Sequence, residues 1–144
     1  MSSIDLQDRV DINDALARYT LAVDSGDWDG LDTVFTPGAQ IDYTSSGGIA
    51  GGFPEVKAWL AENLPAFSKR TMHTLGQVLI VPAPDDLGGA TVTAYFHNPM
   101  VISDGQGGER VVEVGGIYHH DFVFTLGGWR SRCLREEVIW TRGF

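Results

Sequence analysis

The second half of the chain consists of four long extended runs that are separated by short turn-forming segments. The runs cover residues 72–81, 90–103, 110–125 and 129–141. The segments between them are rich in Gly, Pro and Asp, which is typical of hairpin connections. Strands joined by short hairpins run antiparallel, so this half predicts a sheet of four long antiparallel strands.

The first half instead shows apolar residues at helical spacing. The predicted segments are helices over 6–24, 27–35 and 54–67, a strand over 40–44, and a Ser- and Gly-rich loop over 45–52. We expect Ser3 to cap the first helix and Asp27 the second, which should end before Pro37. Helices and strands that are segregated along the chain predict an α+β fold, with three N-terminal helices on one face of a curved, mostly antiparallel sheet.

The two-residue period of strands divides each run into two faces, although both faces carry apolar residues. On the first run, His73, Leu75 and Leu79 share a face, and on the last run Glu136 and Trp140 share a face. The pattern does not decide which face points inward. We expect the remaining histidines to lie at the surface or in an interface: His97, His119 and His120.

Composition narrows the classes of function. With 43% hydrophobic and 10% aromatic residues, 144 residues can form the core of one domain. The net charge of −9 argues against nucleic acid or an anionic membrane as a partner. Cys133 is the only cysteine, which excludes a disulfide framework and a thiolate metal site within one chain. Because the N-terminus lacks a signal peptide pattern and no long apolar run follows, we expect a soluble cytoplasmic domain.

Asp24 and His73 are the candidate catalytic residues. Asp24 closes the first helix, where a carboxylate is unfavourable without a partner, and His73 opens the first long strand. A carboxylate that holds an imidazole in one tautomer makes a tuned general base. The alternative is structural: a hydrogen-bonded helix end and a satisfied core histidine.

Several segments resemble a known family. Residues 24–31 (DSGDWDGL), Pro37 and residues 41–45 (IDYTS) are similar to scytalone dehydratases, and more broadly to SnoaL-like members of the nuclear transport factor 2-like superfamily. The His73 strand and the Gly-rich segments at 115–118 and 127–130 agree with this. The resemblance implies a cone-shaped α+β barrel, as a single SnoaL-like domain over residues 1–144.

The resemblance also implies roles for individual residues. Asp24 and His73 would be the catalytic pair, as in scytalone dehydratases and lindane dehydrochlorinase. Tyr43 would hold a water or polarise the substrate carbonyl. We expect a substrate-binding pocket with no metal and no cofactor, lined by Tyr118, Phe96, Asn98, Trp140 and Tyr19. Glu136 is a further polar candidate.

Three positions depart from these families. The second catalytic tyrosine falls on Val23, the second catalytic histidine falls near Ile102, and the arginine of the dehydrochlorinase falls near Leu134. The first hypothesis is a cofactor-independent dehydratase or isomerase acting on a small hydrophobic organic substrate. The alternatives are a non-catalytic module for ligand binding or assembly, or a polyketide cyclase-like protein.

The outward faces of the predicted strands carry more apolar residues than a monomer usually exposes. These residues include Val111, Ile117, Val123 and Tyr95. We therefore expect a homodimer or homotrimer that associates through the outer face of the sheet.

Overall fold

The computed structural model describes residues 3–144. Its α-helices are α1 (Leu6–Ser25) and α2 (Phe53–Phe67), and 3-10 helices cover Trp28–Thr33 and Thr44–Ser46. The strands are β1 (Phe35–Asp42), β2 (Ala50–Gly52), β3 (Arg70–Thr71), β4 (Thr74–Pro82), β5 (Ala90–Ser103), β6 (Glu109–Thr125) and β7 (Gly128–Arg142). The expectation of no signal peptide rests on the N-terminal segment. Residues 1 and 2 of that segment lie outside the described residues.

The strands form one curved sheet in the order β2-β1-β7-β6-β5-β3, with β4 also paired to β5. Every pairing is antiparallel except that of β1 with β7. This confirms the predicted α+β class, with N-terminal helices on a strongly curled, mostly antiparallel sheet. Among the described helices, none is long and apolar enough to cross a membrane.

The ends of α1 fix the position of Asp24. The cap is Asp5, which exchanges hydrogen bonds with Asp8, so the prediction of Ser3 as the cap is wrong. Gly26 adopts φ 70° and ends the helix. The left-handed backbone conformation has a low free-energy cost only for glycine. The chain therefore turns directly after Asp24 and Ser25.

The second predicted helix is a 3-10 helix that ends at Thr33, and Phe35 already belongs to β1. The prediction of a helix through Phe35 is therefore two residues too long. Pro37 lies inside β1, where the register against β7 shifts between Phe35 and Gln40. A proline cannot donate to the ladder, and an irregular stretch accommodates it.

Two register shifts change which residues face inward. The predicted run 72–81 forms a strand only from Thr74 onwards, and this strand, β4, shifts its register against β5 between Leu75 and Val78. Leu79 is therefore 62% exposed, although the two-residue period places it with Leu75.

The shift on β7 moves Trp140 out of the predicted pocket. Gly116 pairs with Val138, whereas the adjacent Gly115 pairs with Trp140, so β7 has one extra residue there. A Cβ atom on Gly115 would overlap the indole ring of Trp140. The indole packs near His97, with ring centroids 5.6 Å apart. The prediction that Trp140 lines the substrate pocket is therefore wrong.

His120 is buried rather than at the surface, which corrects a second prediction. It is 2% exposed, and its Nδ1 lies 2.8 Å from Oγ of Ser131. Burial lowers the pKa of His120 from 6.5 to about 3. The imidazole is therefore a neutral core group. His97 and His119 do lie towards the outside, where each pairs with a glutamate.

Two hydrophobic clusters divide the interior. One is a compact core between α1 and the strands, centred on Ile12, Leu16, Phe122 and Trp129. The other contains the aromatic residues Tyr19, Tyr43, Phe96 and Tyr118. These four aromatic residues surround a cavity, so the functional site is sought in the second cluster.

Candidate active site

A cavity of about 360 Å³ lies between the two helices and the inner face of the sheet. One face of α2 forms a wall with Trp59, Leu60, Leu64 and Phe67, which recur at helical spacing. Of the residues predicted to form the site, the structure places six in the lining: Tyr19, Tyr43, His73, Phe96, Asn98 and Tyr118. Asp24 lies behind the cavity wall and reaches the site through His73.

The Asp24 carboxylate holds His73 with both of its oxygens. Oδ1 lies 2.6 Å from the imidazole Nδ1, and Oδ2 accepts a hydrogen bond of 2.8 Å from the backbone N–H of His73. His73 lies in the gap between β3 and β4, so its N–H is free of the strand ladder. The turn at Gly26 brings the end of α1 to this gap.

This geometry determines how the imidazole can act. A carboxylate only accepts hydrogen bonds, so the Nδ1 atom carries the proton that is directed at Asp24. The Nε2 atom is then the nitrogen left for the cavity, with a lone pair that can accept a proton. The His73 side chain is 7% exposed and that of Asp24 is 19% exposed, so solvent screens the pair weakly.

Three buried tyrosines form the polar centre of the cavity. The hydroxyl groups of Tyr19 and Tyr43 lie 2.5 Å apart. Tyr118 stacks on Phe96 with centroids 4.2 Å apart and meets Tyr19 edge to face at 5.4 Å. Burial raises the pKa of all three tyrosines well above 10.0, so they are protonated hydrogen-bond donors at neutral pH.

Tyr19 supplies a hydroxyl that the family comparison had placed elsewhere. The second catalytic tyrosine of scytalone dehydratases would fall on Val23, which has no hydroxyl. Tyr19 lies one helical turn earlier on the same face of α1 and contacts Tyr43 directly. A second phenol is therefore present beside Tyr43, although it comes from a different position. Ile102 and Leu134, the other two departures, are buried apolar residues outside the cavity lining.

Asn98 is held in one orientation. Its Oδ1 accepts a hydrogen bond of 2.6 Å from Oγ1 of Thr71, which also lines the cavity. This leaves the amide NH₂ group as a donor for a ligand. Sequence reasoning did not identify Thr71, because a threonine in a two-residue strand carries no signal of its own.

Glu136 is the buried carboxyl group of the cavity. It is 8% exposed, and its Oε1 has no hydrogen-bond partner within the described chain. Burial raises the pKa of Glu136, while the Ser46 hydroxyl and the charge of His73 act in the opposite direction. The sequence names Glu136 as a polar candidate but assigns it no role.

The sequence matches a known family over most of its length. Residues 5–135 match the SnoaL-like domain family. An uncharacterized protein of Mycobacterium tuberculosis is 37% identical over an alignment that covers 96% of this chain and 94% of the relative.

Solved structures share the fold. A candidate scytalone dehydratase from Novosphingobium aromaticivorans has a TM-score of 0.81 at 17% identity, over 96% of this chain and 89% of that one. A hexachlorocyclohexane dehydrochlorinase has a TM-score of 0.81 at 17% identity, over 96% of this chain and 90% of that one. The fold is thus shared with proteins named for eliminations from small molecules. From the match over residues 5–135, the chain belongs to the SnoaL-like domain family.

Proposed function

We propose that this chain is a cofactor-independent lyase or isomerase in which His73 removes a proton from a carbon next to a carbonyl or a leaving group. The observation that carries this proposal is the Asp24–His73 pair, joined at 2.6 Å in the cavity wall. A surface pair would be screened by water, whereas this pair places a basic nitrogen in an apolar space.

Asp24 would act through His73. It fixes the tautomer that leaves Nε2 free and stabilises the imidazolium that forms when the proton is taken. A positioned base of this kind contributes about 10²–10⁴-fold to the rate. The reaction class is β-elimination or isomerisation.

Tyr43 would donate a hydrogen bond to the oxygen that gains charge. In the Tyr19–Tyr43 contact one hydroxyl donates and the other accepts, so one phenolic proton remains for the substrate. When Tyr19 donates, that proton belongs to Tyr43. A donor aimed at a developing oxyanion acts in the transition state and thereby raises kcat.

The cavity supports a small hydrophobic organic substrate. Its volume of about 360 Å³ is at the small end of the range for ligand pockets. Aromatic rings from Tyr118, Phe96 and Trp59 offer flat apolar walls. A mono- or bicyclic carbonyl compound fits this description.

The test is exchange of the α-protons of indanone in deuterated water, followed by proton NMR. We expect the wild-type protein to accelerate the exchange and His73→Ala to abolish the acceleration. His97→Ala is the matched control, because His97 forms a similar imidazole–carboxylate pair with Glu113 on the outer face. Equal exchange by wild type and His73→Ala would end the proposal.

The second candidate function is a binding module that uses the same cavity without chemistry. The observation that favours it is the apolar side chain of Val23 in the lining, where the related dehydratases carry a catalytic tyrosine. In this case His73→Ala lowers the melting temperature and leaves binding of a naphthol probe unchanged. Isothermal titration with naphthol, alongside the exchange assay, separates the two candidates.

A further inference from the structure

Glu136 lies inside the cavity on the strand next to Tyr118. The two residues are directly paired in the register of β6 and β7, and both side chains are buried on the inner face of the sheet. The Oε1 atom of Glu136 is enclosed and has no partner among residues 3–144. A buried polar atom without a partner is costly, so an unpaired carboxyl oxygen in a cavity points to a missing ligand group.

The groups that face Glu136 determine which protonation state the cavity favours. No lysine or arginine is present in the described lining, so a carboxylate would have no permanent counter-charge. The phenols of Tyr19, Tyr43 and Tyr118 are neutral, and the nearby Asp42 carboxylate opposes ionisation. The Ser46 hydroxyl and, when protonated, His73 favour the carboxylate. Burial and the lack of a permanent counter-charge in the described lining therefore shift this carboxyl group towards its neutral form.

We propose that Glu136 is the general acid of this pocket, and that it protonates a hydroxyl group that leaves from the carbon β to the substrate carbonyl. This inference rests on the proposed function, in which His73 is the base. Glu136 lines the cavity from β7, and His73 lines it from the segment between β3 and β4. A substrate between them would meet a base on one side and an acid on the other.

The step balances in atoms and electrons. His73 Nε2 takes the α-proton, and the electrons of the C–H bond form the new C=C bond. The C–O bond to the β-hydroxyl breaks, and its oxygen takes the Glu136 proton, so that water leaves. The products are an α,β-unsaturated carbonyl compound, an imidazolium and a carboxylate. Transfer of one proton from His73 to Glu136, directly or through solvent, restores the starting state.

The charge coupling between the two residues favours this sequence. In the proposed step, His73 and Glu136 begin as neutral groups and end with opposite charges within one cavity. Their attraction therefore stabilises the state that follows proton transfer.

An acid at this position selects the substrate class. Hydroxide is a poor leaving group unless it is protonated, whereas chloride leaves without a proton. A pocket with both His73 and Glu136 is therefore suited to β-hydroxy carbonyl compounds, and its acid adds nothing to the elimination of a halide.

The test compares two substrates that differ only in the leaving group, β-hydroxyindanone and β-chloroindanone. Both give indenone, which is followed by absorbance above the uncatalysed rate. We expect Glu136→Gln to lower the elimination of water about 10²–10⁴-fold and to change the elimination of chloride only slightly. His73→Ala should lose both reactions. Glu137→Gln is the matched control, since Glu137 pairs with His119 away from the cavity.

A second measurement is independent of turnover. Titration of the side-chain carboxyl groups by carbon-13 NMR, with Glu136→Gln to identify the resonance, should show Glu136 protonated above the pH at which the other glutamates ionise. An ordinary titration of Glu136, or a Glu136→Gln variant that dehydrates β-hydroxyindanone like the wild type, overturns the inference. If the wild-type protein does not accelerate α-proton exchange, the base function of His73 is refuted instead. In that case the carboxyl titration alone decides whether Glu136 is the neutral donor of the pocket.

Discussion

Replacing Asp24 with asparagine is the sharpest test of the catalytic pair, because its two oxygens have different partners. Oδ2 accepts from the backbone N–H of His73, and only the oxygen of an asparagine amide can take over that contact. The NH₂ group must then face Nδ1, which is 2.6 Å from Oδ1 in the wild type. An NH₂ group donates, so Nδ1 becomes an acceptor and the imidazole proton moves to Nε2.

The expected decrease in kcat follows from the loss of a charged hydrogen bond and the loss of the free lone pair on Nε2. A hydrogen bond to a charged group contributes about 1.5–3 kcal/mol, which corresponds to about 10- to 150-fold in rate. The proton on Nε2 also removes the lone pair that would take the substrate proton. In a serine protease triad, the equivalent change of tautomer lowers kcat by about 10⁴-fold. We therefore expect Asp24→Asn to lower kcat about 10²–10⁴-fold, with a small change in KM.

The assay is α-proton exchange of indanone, combined with nitrogen-15 NMR of the His73 ring. The spectrum should show the proton on Nδ1 in the wild type and on Nε2 in Asp24→Asn. The melting temperature should change little, since the contact with the backbone N–H survives. Glu113→Gln is the control, because Glu113 pairs with His97 on the outer face. Wild-type exchange by Asp24→Asn, or an unchanged ring tautomer, would refute the reasoning.

The remaining predictions concern the oxyanion donor, the buried histidine and the outer face of the sheet. Tyr43→Phe should raise the activation free energy of exchange by about 1.5–3 kcal/mol, which lowers the rate about 10- to 150-fold. An unchanged rate would exclude Tyr43 as the donor. The folded pKa of His120 is depressed, so the free energy of unfolding should fall by about 1.4 kcal/mol per pH unit from 6.5 towards 3 as the unfolded state takes up a proton. Urea unfolding at several pH values should show a shallower decline for His120→Leu, and parallel curves would contradict this cause. We propose that the chain self-associates through the outer face, where Tyr95 is 50% and Val111 is 53% exposed. Light scattering should show an oligomer that Tyr95→Lys dissociates, and a monomeric wild type would remove this proposal.

The hairpin signals made the sheet predictable. The Gly-rich breaks at 82–89 and 104–108 are local features, and the structure joins β4 to β5 and β5 to β6 there. Asp24 was also accessible from the sequence, because a carboxylate at the end of a helix needs a partner. The identification of His73 as that partner depended on the family resemblance, since the two residues are 49 positions apart.

Irregularities in the strands explain the errors at individual sites. A two-residue period assigns faces only while each residue has one partner, and an extra residue reverses every assignment beyond it. This moved Trp140 to the outer face, while Glu136, before the shift, stayed inside. A bulge depends on contacts with the neighbouring strand, which the local sequence does not encode.

By itself, the sequence determined the α+β class and the order of the long strands, and it indicated that Asp24 needs a partner. These features depend on periodicity, turn chemistry and residue type, which are local along the chain. Only the tertiary structure decided that Tyr19 meets Tyr43, that His120 is a neutral core group, and that Glu136 lies unpaired in the cavity. The physical reason is that burial and hydrogen-bond partners are properties of packed surfaces, and these surfaces form only when distant segments meet.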